Sequence, residues 1–168
     1  MAKNRSYANR GMDLEREIDK VNERYSSLNV AAVIKIPTPI RIISKVGGMV
    51  KGFTESGYCV DYIGAIEGGH TIAFDAKETK GKSLPLKNIH EHQYYMMMEW
   101  ENVGATTFIL VHFKDLGEYY RLPFGVLDDA WVVMENGGKK SIPIKTFIEH
   151  GMLIEKNNGL LDYLGVLR

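Results

Sequence analysis

The chain is 168 residues long, 45% apolar and formally neutral, with 21 Lys/Arg against 21 Asp/Glu, which suits one compact domain around a single sizeable core. No stretch approaches the ~20 consecutive apolar residues of a membrane helix, and the opening MAKNRSYANRGM has no apolar run, so neither a membrane span nor a secretory signal is expected. Charge is unevenly laid out: residues 1–60 hold ten Lys/Arg against six Asp/Glu, and acid prevails beyond them, as suits a DNA-binding protein whose carboxylates are offset by metal cations.

Residues 1–10 read as a flexible basic tail. Leu14, Ile18, Val21 and Tyr25 recur at i, i+4, i+7 and i+11, which predicts a helix over 13–25 with one apolar face. Ala31–Ile36 reads as a short strand ended by Pro37-Thr38-Pro39. Ile40–Val46 and Met49–Thr54 flank Gly47-Gly48, a hairpin signal. Tyr58–Ile66 and His70–Lys77 are two further strands joined through Glu67-Gly68-Gly69. Cys59, the only cysteine, excludes an internal disulfide and suits a reducing cytoplasm; it is expected as a small buried hydrophobe in its strand.

A loop rich in Gly and Lys, Lys80-Gly81-Lys82-Ser83, leads to Asn88, which with Glu91 resembles a capping box for a helix from about Ile89 to Asn102. Thr106–Phe113 and Tyr119–Leu122 are strands, 125–135 is ambiguous, Thr146–His150 is a short helix and Met152–Glu155 a last strand. There is no internal repeat and no long linker. The order indicates a single α/β domain with a mixed central sheet flanked by helices.

The chemistry concentrates in Asp61 and in Asp75-Ala76-Lys77. Alternation along His70–Lys77 puts Ile72, Phe74 and Ala76 on one face and Ala73, Asp75 and Lys77 on the other. A few carboxylate oxygens suit Mg²⁺, and a neighbouring lysine can steady charge on a phosphate or orient the attacking water. Asp61 joins that face only if the hairpin register allows. A two-residue turn at Gly68-Gly69 pairs Asp61 with Ala76 and sends it to the wrong side. A three-residue loop pairs Ile66 with His70 and therefore Asp61 with Asp75, and is preferred here. The bland reading is two surface carboxylates and a lysine on a solvated strand. Gln93 falls in the predicted stripe Ile89, Gln93, Met96, Trp100, where a buried amide needs partners: a phosphate or metal-bound water, or simply backbone. Met96, Met97 and Met98 read as packing. His90 and His92, about 200° apart on a helix, are expected as solvated side chains and poor joint ligands.

Taken together, Asp61-Tyr62, Phe74-Asp75-Ala76-Lys77-Glu78-Thr79-Lys80, Pro85-Leu86 and His92-Gln93 resemble the RecU family of Holliday junction resolvases, within the PD-(D/E)xK, restriction-endonuclease-like superfamily. Asn9-Arg10-Gly11-Met12 with Leu14-Glu15, Lys35-x-Pro37-Thr38-Pro39, Lys140-Ser141-Ile142-Pro143, Glu149-His150-Gly151 and Asp162-Tyr163-Leu164 extend the likeness over nearly the whole chain. The resemblance implies a restriction-endonuclease-like core with a projecting hairpin stalk (40–57), and a homodimer. It implies Mg²⁺ as cofactor with Mn²⁺ able to substitute, four-way junction DNA as substrate, a RecA-type recombinase as partner, and a cytoplasmic, nucleoid-associated setting. By position it matches Asp61 and Asp75 to the family's metal-binding carboxylates, Glu15 to its first-helix glutamate at the metal and Lys77 to its catalytic lysine; Gln93 is a further catalytic candidate, and Arg10, Arg41, Lys45, Lys51, Lys80 and Lys82 are expected to contact DNA. The chain departs from the family pattern in having Asp75 for the usual Glu, Val60 for Thr, and a shorter hairpin tipped by Gly47-Gly48. Competing readings are a nuclease of ordinary duplex and a non-catalytic DNA-binding accessory protein.

Overall fold

The computed structural model describes residues 12–54 and 59–167; the basic tail with Arg10, and the predicted strand start at Tyr58, lie outside them. The first helix, α1 (Met12–Ser27), carries Asp13 and Glu15 in its first turn and Arg24 in its last, matching the helix dipole. Its stripe Leu14, Ile18, Val21 and Tyr25 is fully buried. Strand β1 (Ala31–Lys35) follows, then a hairpin of β2 (Ile40–Val46) and β3 (Met49–Thr54), then β4 (Tyr62–Ile66) and β5 (Thr71–Thr79). A three-residue strand β6 (Ser83–Pro85) and one 3₁₀ turn lead into α2 (Glu91–Asn102), β7 (Thr106–Phe113), β8 (Glu118–Pro123), α3 (Phe124–Glu135), β9 (Ser141–Pro143), α4 (Ile144–His150) and β10 (Met152–Ile154); the two-residue pair β11 (Lys156–Asn157) and β12 (Leu160–Leu161) comes last.

Six strands form one mixed sheet in the order β1-β4-β5-β7-β8-β10. Only β5 and β7 run parallel; the helix α2 makes the crossover between them. Helix α1 covers one face of the sheet and α2, α3 and α4 the other, so β5, at the centre, is buried on both sides. Tyr62, Phe74 and Phe108 sit in register on adjacent strands and stack in sequence, with centroids 4.9 and 4.7 Å apart and planes within 8°. This ring ladder anchors the α1 side of the core.

The structure corrects one local reading and fills in two others. The helix predicted from Ile89 starts at Glu91: Ile89 is extended, and His90, not Asn88, precedes the helix, its N–H donating to Gln93 Oε1 at 3.1 Å. The buried stripe is therefore Gln93, Tyr94 and Met97, with Met96 and Trp100 only partly covered. The ambiguous stretch is α3, held by buried Phe124, Leu127 and Trp131. The Asp162-Tyr163-Leu164 motif is structural, since Asp162 accepts the Tyr25 hydroxyl at 2.7 Å and the backbone N–H groups of Gly165, Val166 and Leu167.

Candidate active site

The hairpin between β4 and β5 has the three-residue loop. Ile66 N–H donates to His70 C=O at 2.9 Å, with Gly68 and Gly69 at φ +88° and +81°, a conformation that glycine adopts without steric cost. The ladder Ala65↔Thr71 to Tyr62↔Phe74 then sets Asp61 opposite Asp75. Asp61 lies just before β4, and its Oδ2 accepts the Ala76 N–H at 3.0 Å, which locks the side chain against β5. Alternation on β5 turns Ala73, Asp75 and Lys77 toward α2, as expected, but this face is not solvated: Asp75 is fully buried.

Gln93, on the first turn of α2, reaches down to the same face. Its Nε2 donates to Asp75 Oδ1 at 2.6 Å, and Lys77 Nζ donates to its Oε1 at 3.1 Å. One amide thus couples the carboxylate to the lysine and, through the His90 N–H, to the start of the helix. Lys77 Nζ also lies 2.5 Å from Asp75 Oδ2, close enough for an ion pair but without hydrogen-bond alignment, so that buried oxygen is left unsatisfied. Burial pushes the Asp75 carboxyl up to about 8; the Lys77 ammonium opposes this and the Asp61 charge adds to it. A buried carboxylate oxygen without a hydrogen bond, beside a second carboxylate, is a donor set that fits a hard divalent cation. Among the described residues no three His, Cys, Asp or Glu side chains converge as a complete metal cage. Two carboxylates suffice for Mg²⁺, which keeps waters and takes phosphate oxygens.

Glu15, on α1, is held by Lys35 at 2.7 Å. The Lys35 ammonium also feels Asp19 and Asp61, and these acids raise its pKa against the effect of burial. Glu15 therefore meets the site through Lys35, a residue quoted in the sequence only as part of the Pro-Thr-Pro motif. Pro37, Thr38 and Pro39 wall a cavity of about 330 Å³ that opens beside Asp61 and Gln93. Cys59 and both histidines line it too; His90 is exposed, as expected, His92 is half-buried, and only the expectation for Cys59 is corrected. Cys59 is half-buried and outside any strand. His90 and His92 stack at 5.3 Å over the cavity rim, because His90 precedes the helix and escapes its 100° rotation per residue. Burial, then His90 and Lys77, pushes the His92 pKa down.

Glu78, inside the family-like run, faces the opposite side of the sheet and pairs with Lys114 and His112. Lys80 and Lys82 are exposed beyond the end of β5. Every residue of β2 is exposed, and Ile40, Ile42, Ile43, Val46, Met49, Val50 and Phe53 present bare apolar surface. The hairpin thus stands off the body. A register shift between Ile42 and Ser44 places Arg41 and Lys51 on one face of it and Lys45 on the other.

Residues 9–168 match the model of the family described as RecU, Recombination protein U. The Holliday junction resolvase RecU of Pediococcus pentosaceus is 38% identical over 166 residues, 94% of this chain and 82% of that one. Its counterpart in Streptococcus gordonii is 37% identical over 158 residues, covering 90% and 78%. Among solved structures, Archaeoglobus fulgidus Hjc, a Holliday junction resolvase from an archaeal hyperthermophile, superposes with a TM-score of 0.51 at 13% identity over 83% of this chain and 94% of that one. At that identity the likeness speaks for the fold alone, which is restriction-endonuclease-like, with the mixed sheet and flanking helices anticipated from the sequence.

Proposed function

This chain belongs to the RecU family, and we propose that it is a Holliday junction resolvase, a magnesium-dependent endonuclease that cuts four-way DNA junctions symmetrically during recombination and repair. The observation that carries the reading is the convergence of Asp61, Asp75, Lys77 and Gln93 on one buried face beside an open cavity. A structural ion pair has no need of a second carboxylate set against the first, since like charges in a low-dielectric site repel.

Asp61 and Asp75 would hold the cation, which when bound supplies Lewis acidity and offsets charge at the scissile phosphodiester. Asp75 would have to be ionised to do so, and burial sets its pKa against that while the Lys77 ammonium favours it. Lys77, freed from Asp75, holds positive charge toward the phosphate and the attacking water. Gln93 fixes the distance between the two side chains. Glu15 completes the acidic rim once Lys35 turns to DNA. Mn²⁺ prefers the same oxygen donors and substitutes.

Symmetric incision requires two such sites, so the acting species is a homodimer. A RecA-type recombinase partner and a cytoplasmic, nucleoid-associated setting rest on the resemblance. No helix among the described residues is long and apolar enough to cross a membrane. The deciding assay incubates the full chain with Mg²⁺ and a synthetic four-way junction, beside linear duplex of the same sequence. Paired nicks at the junction, lost in Asp75→Ala while junction binding persists, are expected. Equal cutting of duplex would make it a general nuclease, and binding without metal-dependent cutting an accessory protein; either result overturns the proposal.

A further inference from the structure

Beyond the site, one charged surface is left unexplained. The two-stranded ribbon β6–β9 pairs Ser83↔Pro143, Leu84↔Ile142 and Pro85↔Ser141. Leu84 and Ile142 point into the core and are fully buried, so the outer face consists of two serines and two prolines. Six lysines border this small, flat face, all exposed. Lys80, Lys82 and Lys145 lie at one end, where Ile144 N–H donates to Lys82 C=O at 2.9 Å. Lys87, Lys139 and Lys140 lie at the other, where Leu86 N–H donates to Lys140 C=O at 3.0 Å. Neither segment that builds the ribbon, 79–90 or 136–148, contains an Asp or Glu. The acids that do touch it are Glu149, an exposed partner 3.5 Å from Lys145, and Asp115, which accepts the Gly81 N–H. In a chain with no net charge, six lysines against these two acids is a local excess.

We infer that the β6–β9 ribbon is a backbone-contact surface for a duplex arm of the substrate, leading away from the cleavage site; this rests on the nuclease reading above. The ribbon is tied directly to that site. Asp75 and Lys77 share their strand with Thr79, whose hydroxyl donates to Ser83 C=O at 2.9 Å, and the chain leaving β6 returns through Leu86 and Ile89 to Gln93. Three strand residues span roughly 10 Å, about three base-pair rises of 3.4 Å along the duplex axis. Two lysine groups at that spacing, across a face without bulky or acidic side chains, suit a polyanionic rod and read no sequence.

The test replaces only the four lysines not already expected to contact DNA: Lys87→Gln, Lys139→Gln, Lys140→Gln and Lys145→Gln together. All four are exposed, so circular dichroism and melting temperature should be unchanged. Affinity for a four-way junction and for linear duplex is measured in EDTA across a salt series with the full chain. Loss of two to four contacts should make the log–log salt slope shallower by about 2–4 and weaken both DNAs by on the order of tenfold or more near 0.1 M salt. The junction-to-duplex ratio should stay put. A second measurement needs no variant: junctions with arms trimmed to about one helical half-turn should give the unaltered chain the shallow slope and leave the quadruple variant unaffected. An unchanged slope in the variant, or a change in oligomeric state in place of DNA affinity, overturns the ribbon's role. Failure of the unaltered chain to bind DNA at all would instead sink the nuclease reading itself.

Discussion

The protonation of Asp75 is the most exacting consequence of the site, because it turns a buried carboxylate into a source of instability. Its carboxyl is fully buried and pushed up to about 8, chiefly by burial, whereas in the unfolded chain it titrates near 3.9. Between those values the unfolded state is ionised and the folded state holds a proton, so this group destabilises the metal-free fold progressively as pH rises. The slope is about 1.4 kcal/mol per pH unit, with a ceiling on the order of 5 kcal/mol once the window is crossed. Asp75→Asn preserves shape and the Gln93 contact but removes the titration. Urea melts in EDTA at half-unit steps from about pH 5 to 9 should show the variant gaining on the parent by that slope up to about pH 8 and levelling off above it. Adding Mg²⁺ should stabilise the parent by mass action and leave the variant where it was. The opposite view is that Lys77, 2.5 Å away, keeps Asp75 ionised throughout. In that case the difference would be flat with pH, and Asn would cost about 3–5 kcal/mol by stranding a buried cation. That outcome would refute the argument from burial.

Three further perturbations separate the parts of the molecule. Lys77→Ala should depress the single-turnover cleavage rate far more than junction affinity, and a variant that loses affinity alone would contradict its role at the phosphate. Phe74→Ala should cost about 3–5 kcal/mol in a denaturant melt, because it empties the middle of the Tyr62–Phe74–Phe108 ladder; a loss under 1 kcal/mol would mean the ladder is not a structural anchor. Deleting Arg41–Gly57 with a short Gly/Ser bridge should leave the core folded, since β2 is exposed throughout and closing the short loop costs on the order of 1 kcal/mol. Junction preference should then fall toward that for duplex, with the salt slope shallower by roughly 0.9 for each cation lost among Arg41, Lys45 and Lys51. An unchanged preference would move junction choice to dimer geometry.

Much of the site was legible because strand parity is strict. Once Glu67-Gly68-Gly69 is read as a three-residue loop, the position of Asp61 against Asp75 follows by counting, and the structure has that register. Gln93 was legible as an anomaly, an amide in an apolar stripe. Its partners were not, because they sit 16 and 18 residues away on another element. Helix α3 was ambiguous because its buried residues are only Phe124, Leu127 and Trp131, while Val132 and Val133 face solvent and β-branched pairs weaken a helical signal. The ribbon β6–β9 joins segments nearly sixty positions apart through three residues each, far below what periodicity can detect.

What alternation left open matters more for chemistry. Alternation separated an apolar from a charged face on β5, and a charged face suggests water. The sheet, however, has helices on both sides, so α2 closes over Asp75, while Lys77 keeps a partly exposed side chain and Asp61 opens on the cavity beside it. Periodicity reports which side chains share a face; it cannot report whether that face is covered, which depends on the crossover that lays α2 between β5 and β7. Covering sets this Asp-x-Lys apart, pushing the Asp75 carboxyl up and holding a lysine beside it. The site's chemistry is thus written as much in the placement of α2 as in Asp61, Asp75 and Lys77. Gln93, the residue that belongs to both the helix and the site, is where the two meet.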